Sequence, residues 1–341
     1  MKLASGQHLK PWILALVLAL MAVLLLWLGS SLGVEGIQLF QPPWLDPQTR
    51  AIIWEIRLPR TLGAWLAGGL LGLAGAIAQG LFRNPLADPY LLGSASGAAL
   101  GVAMGLAWMG SAQGQLSASG WAIQLGVTGL AFLGAMLAVV LTLVLARGVH
   151  HTLRLVLAGV VVGAVLGALV SLIMLLRPEL MLSLQTFMLG SSAYVDWPAC
   201  SMMATVLFLC LLVALSLGRV LDALGLGEAT ALSLAIPVST LRLVLVAVLS
   251  LATASAVAQT GLIGFVGLMA PHLVRSVLKP THDWLILLSC LAGGLLLLLA
   301  DTLARGLLAP MELPVGVLSA VLGGAYLLWL MHRQSSPGER A

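Results

Sequence analysis

Apolar residues run through this chain in long unbroken stretches, near residues 12–32, 61–81, 91–109, 121–146, 155–176, 199–217, 241–259, 262–274, 284–300 and 315–331. At about 1.5 Å rise per residue, roughly 20 residues cover a hydrocarbon core ~30 Å thick, so these stretches predict membrane-crossing helices. The seventh and eighth stretches allow two readings: one overlong helix, or a full crossing followed by a short return broken at Pro271. Arg242 precedes the pair, and Arg275 and Lys279 follow it. Basic residues collect on the cytoplasmic side, which two crossings satisfy and one does not. Ten crossings leave both termini on one side. The fold class read from this pattern is an all-α polytopic membrane protein of about ten transmembrane helices, some short or broken, with both termini cytoplasmic.

Small residues add a second pattern. Gly68, Gly72, Ala76 and Gly80 recur every four residues, as do Gly93, Gly97, Gly101 and Gly105 beyond a proline-rich turn, Asn84-Pro85-Leu86-Ala87-Asp88-Pro89. Such rows bare one helix face so that another helix approaches backbone to backbone. The two helices flanking this turn are therefore expected to pack tightly together. Ahead of them, Arg57 and Arg60 flank Pro59, which suits a first helical turn.

Composition closes off other classes. The 341 residues are 60% hydrophobic and 8% charged, too little polar surface for a soluble domain. A β-barrel would show short alternating segments instead. The first stretch is too long for a signal-peptide core and reads as a retained helix. The whole chain, 1–341, is read as one integral membrane domain, with a cytoplasmic loop at 218–240 and an external short-helix segment at 177–197. The net charge of +4 gains meaning by position. The ten-crossing topology puts Arg50, Arg57, Arg60, Arg177 and Arg305 outside and the other eleven of the sixteen basic residues inside. Nothing in it points to nucleic acid.

Candidate chemistry is sparse. No lysine sits in a GxxxxGK[ST] phosphate loop, and no HExxH occurs, so neither a P-loop nor a metal site is expected. Gly93-Ser94-Ala95-Ser96-Gly97 has Ala95 where a nucleophile elbow needs serine. Cys200, Cys210 and Cys290 lie in apolar stretches and read as small core residues. Ion-coupled transport needs buried charges or broken helices at the midplane. Asp301 is the main ionisable residue within a span, and Arg305 can pair with it at i+4. The scarcity favours a passage opened by helix movement and driven from elsewhere. Arg57, Arg60 and Arg305 read either as anchors and local ion pairs, or as a docking surface for an acidic soluble partner. The segment Gly227 to Leu234, with one acid at Glu228, reads either as a solvated loop or as a short helix seated in a partner's groove.

These residues resemble the iron-chelate and cobalamin permeases of bacterial type II ABC importers. The resemblance rests on Arg57-Leu58-Pro59-Arg60, Gln79-Gly80, Asn84 through Pro89, Leu92-Gly93, Leu157-Ala158-Gly159 and Leu226-Gly227-Glu228. It continues through Ile263 to Leu268, Pro271 to Arg275, Asp301 with Arg305, and Glu312-Leu313-Pro314-Val315-Gly316. The chain departs from the family's habits at Gln259-Thr260-Gly261-Leu262-Ile263, at Gly324-Ala325-Tyr326 and at Phe187-Met188-Leu189-Gly190.

The resemblance implies a homodimer in the bacterial inner membrane with its path on the two-fold axis. Two ATP-binding cassette ATPase subunits would sit below, and a periplasmic substrate-binding protein would dock above. No cofactor is expected in this chain, since ATP and Mg would be bound by the partner ATPase, and the chain itself is not expected to be an enzyme. By motif, Arg57, Arg60 and Arg305 would face the binding protein. Gly227, Glu228, Ala229, Thr230, Ala231 and Leu232 would couple to the ATPase. His151, Thr152 and Leu153 would narrow the cytoplasmic mouth. The fifth helix, with its small-residue row Gly159, Gly163 and Gly167, would line the path, unless that row is ordinary helix packing. Arg177 would stand at the external mouth. The cargo implied is a ferric siderophore or haem, with cobalamin or an oxyanion as the alternative.

Overall fold

The computed structural model describes residues 10–33, 36–37, 47–111, 120–149, 152–227, 237–309 and 311–334. Each of the ten apolar stretches is a helix. In chain order the helices are α1 (Pro11–Ser31), α2 (Pro47–Ile52), α3 (Leu58–Leu81), α4 (Ser94–Ser111), α5 (Gly120–Leu145), α6 (Thr152–Leu176), α7 (Met181–Leu189), α8 (Trp197–Ser216), α9 (Gly218–Gly225), α10 (Val238–Thr260), α11 (Val266–Val277), α12 (His282–Gly306) and α13 (Val315–Gln334). Seven of the described helices are long and apolar enough to cross a membrane, and α4 and α13 join them as shorter apolar helices. Helices α2, α7 and α9 are short and lie between crossings. Two-residue strands β1 (Leu32–Gly33) and β2 (Gly36–Ile37) pair antiparallel just past α1.

The centre of the molecule is α3. All its residues except Leu58, Leu62 and Trp65 are buried, as expected of a helix apolar on every face. Its glycines admit α12 to backbone contact: a Cβ at Gly68 would strike the Gly293 carbonyl, and one at Gly72 the Ser289 carbonyl. Backbones at this range exchange Cα–H···O contacts. The glycine row of α4 meets α5 instead, where Gly97 lies on Gly134 and Gly101 on the Leu130 carbonyl. The expectation that the two helices around the proline turn pack on each other is thereby corrected. Each row has its own partner, because the extended turn between them carries α4 away from the α3 face.

The seventh and eighth stretches are two helices. Gly261 ends α10 at φ +70, and Phe265 starts α11 at φ +69, a left-handed conformation that costs a bulky residue energy. Pro271 lies inside α11 without breaking it. It removes the N–H that would bond the Gly267 carbonyl, and that carbonyl is the atom against which Gly75 of α3 packs. Helix α7 is tied to the end of α10 by reciprocal backbone bonds, Ser191 N–H to Thr260 O at 2.7 Å and Leu262 N–H to Phe187 O at 3.0 Å.

Candidate functional site

The external face is held by a buried charge cluster. Arg60, on the first turn of α3, donates from Nε to Asp301 Oδ1 at 3.3 Å and from Nη1 to Glu312 Oε1 at 2.9 Å. Arg305, one turn after Asp301 on α12, pairs with Asp301 Oδ2 at 2.7 Å and donates to the Gly29 carbonyl of α1 at 2.9 Å. The Ser192 hydroxyl, in the turn after α7, donates to Asp301 Oδ1. Two arginines thus balance two carboxylates, and the Ser192 hydroxyl and the Gly29 carbonyl add hydrogen bonds, as a buried charge requires. The side chains of Arg60 and Arg305 are 10% and 8% exposed and that of Asp301 is 0%, whereas Glu312 is 45% exposed. The expected pairing of Asp301 with Arg305 is present. Arg60 and Arg305 turn inward into local ion pairs, one of the two readings the sequence left open, and Arg57 stands half-buried at the surface. The cluster joins α1, α3, α12 and the segments before α8 and α13.

Around it, Trp197 Nε1 donates to the Trp54 carbonyl at 3.0 Å, and the two rings lie 5.3 Å apart. Asp196 caps α8 through the Ala199 N–H at 2.9 Å. Arg177 begins the turn into α7, is exposed, and pairs with Glu179 at 3.3 Å.

On the opposite face four polar contacts fasten the helix ends, and none was singled out in the sequence as a site. Asp222 of α9 accepts from His282 N at 3.1 Å and meets its Nδ1 at 2.6 Å, at the start of α12. Arg275 donates to Gln79 Oε1, and Gln79 Nε2 donates to the Leu268 carbonyl at 3.1 Å. Buried Arg242 donates to the Val149 carbonyl at 2.8 Å, holding the turn between α5 and α6. Asp88 accepts from Tyr90 N–H at 2.7 Å in an Asx turn, and burial pushes its carboxyl up from the usual carboxylate range. The signals were there as lone polar residues beside apolar stretches, but, Asp88 with its neighbour Tyr90 apart, their partners lie 60 to 196 positions away.

Of the coupling residues, Gly227 closes the turn after α9 at φ +117. Glu228, Ala229, Thr230, Ala231 and Leu232 lie outside the described residues, as does His151. Thr152 opens α6, and Leu153 after it is 81% exposed. The small-residue row of α6 is a packing face. Gly159 lies against the Leu91 carbonyl, Gly163 is 3.6 Å from Ser96 Oγ as measured from an added Cβ, and only Gly167 has open space. Gly159 and Gly163 thus take part in ordinary helix packing, the alternative the sequence left open. The exposed face of the same helix is aliphatic, with Leu157, Val160, Val161, Val165 and Leu169, and no ionisable side chain occurs between Arg154 and Arg177. Among the described residues no three His, Cys, Asp or Glu side chains group as a metal site.

The pattern of the FecCD transport family matches residues 12–333. The chain belongs to the FecCD transport family. Within the range of FecCD-like proteins, it is 37% identical over 336 residues to the hemin transport system permease protein HmuU of Yersinia pestis, covering 97% of this chain and 98% of that one. It is also 37% identical over 322 residues to the vitamin B12 import system permease protein BtuC of Salmonella paratyphi A, covering 94% of each. A solved metal-chelate type ABC transporter in an inward-facing conformation superposes with a TM-score of 0.84 at 29% identity, covering 95% of this chain and 100% of that one. The FecCD assignment makes this chain a multi-pass membrane permease, as its motifs indicated.

Proposed function

We propose that this permease carries a bulky metal chelate, haem or a ferric siderophore, from periplasm to cytoplasm across the bacterial inner membrane. The observation that carries the reading is the end-to-end 37% identity with a hemin permease. The permease works as a homodimer with two ABC ATPase subunits and a periplasmic binding protein. The ATPases bind ATP and Mg, and this chain performs no catalysis. The aliphatic face of α6, free of charge along its length, offers the cargo a passage with weak contacts, and affinity resides in the binding protein. ATP-driven closure of the ATPases pushes the segment around Glu228, and helix tilts open one end of the path while closing the other. The turn at Thr152 and Leu153 forms the cytoplasmic mouth. Cobalamin remains the second reading, since the identity with a vitamin B12 permease is also 37%.

Uptake by the complete complex in proteoliposomes separates the two. Haem or a ferric siderophore should accumulate with ATP present, and cobalamin should not compete. Accumulation of cobalamin with indifference to iron chelates would contradict the assignment. Docking falls to Arg57, with Arg60 reached through Glu312. Arg57→Glu should therefore weaken binding-protein affinity most at low salt, where charges are least screened. Unchanged affinity at low salt would remove Arg57 from the docking surface.

A further inference from the structure

A groove of about 240 Å³ lies between α1 and the α11–α12 pair, and its walls are entirely apolar. From α1 it takes Leu14, Leu18, Met21 and Leu25, a row at successive helical turns, and it is closed by residues including Val277 of α11 and Leu295 of α12. The row on α1 continues one turn back to Lys10, whose carbonyl accepts from the Leu14 N–H at 3.4 Å. On the other wall α11 ends at Val277, and Lys279 follows two residues later. Lys10 and Lys279 are both exposed, and neither meets a carboxylate at ion-pair distance among the described residues. Trp12, 54% exposed, stands beside Lys10, where an amphipathic ring favours the membrane–water boundary. The groove thus has an apolar body and, just beyond its walls at one end, two cations without a carboxylate partner among the described residues. By the excess of basic residues, that end is cytoplasmic.

We propose that this groove holds an anionic phospholipid of the cytoplasmic leaflet, with an acyl chain along α1 and the phosphate between Lys10 and Lys279. Both halves of the site are required. A groove in the hydrocarbon layer is filled by an acyl chain because empty apolar walls forgo dispersion contacts. The lysines choose the headgroup, each contributing about a fivefold preference for an anionic over a zwitterionic lipid, so roughly thirtyfold together. The occupied groove would splint α1 to the α11–α12 pair.

The test uses the purified permease complex delipidated in detergent and offered equal amounts of phosphatidylglycerol and phosphatidylcholine, with retained lipid read by native mass spectrometry. Phosphatidylglycerol should be retained in preference. Lys10→Gln and Lys279→Gln should each cut the preference about fivefold, and the double variant should abolish it. Arg154→Gln, an exposed cation on α6, whose packing neighbours include α4 and α5, should leave it unchanged. The lysines are exposed, so these variants fold. Equal retention of the two lipids, a preference that survives the double variant, or no retained lipid at all would each overturn the proposal.

Discussion

At the scale of single residues, Asp301 determines whether two arginines can sit inside the protein. Its carboxylate is fully buried and faces both Arg60 and Arg305. Removing one partner from a buried pair leaves an uncompensated charge and costs about 3–5 kcal/mol. Asp301→Ala should therefore sharply lower the unfolding temperature of the purified protein and its yield in the membrane. Glu312 is half exposed, and Glu312→Gln should change stability by no more than about 1 kcal/mol. Thermal unfolding of the two variants side by side checks this, and equal losses would mean that the cluster is not anchored on Asp301. The i,i+4 spacing of Asp301 and Arg305 made that pair legible in the sequence. Charge bias told on which side Arg60 lies but not that it turns inward, because Glu312 and Asp301 come from segments 252 and 241 positions away.

At the scale of helices, glycine decides which surfaces touch. The rows on α3 and α4 were legible as bare faces, yet a row does not name its partner. Gly68 and Gly72 found α12, and Gly97 and Gly101 found α5. The same ambiguity affected α6, where a row that could line a passage is a seam against the turn before α4. Two variants separate seam from passage. Gly159→Ala drives a methyl into the Leu91 carbonyl, whereas Gly167→Ala enters open space. Alanine gains about 0.5–1 kcal/mol over glycine within a helix, so Gly167→Ala should be neutral or stabilising and Gly159→Ala should lose stability despite that gain. Equal unfolding temperatures for the two would contradict the packing described. The division of 241–274 into two helices was legible from charge, while the left-handed turn at Phe265 that achieves it was not.

At the scale of the whole molecule, ten apolar stretches became ten helices with α3 buried at their centre, and the family was legible in the order of the motifs. Most of the polar contacts that fasten the cytoplasmic ends were not, since they join distant segments. The permease has an uncharged aliphatic wall along α6 and no ionisable side chain between Arg154 and Arg177 on which an ion gradient could act. In the proposed function its energy comes from a companion ATPase on the cytoplasmic side. The most direct measurement is chelate accumulation in proteoliposomes by the permease alone, under an imposed proton or sodium gradient, and by the permease joined to its ATPase subunits and binding protein with ATP. The account predicts no uphill uptake in the first case and concentrative, ATP-dependent uptake in the second. Uphill accumulation by the permease alone would contradict it.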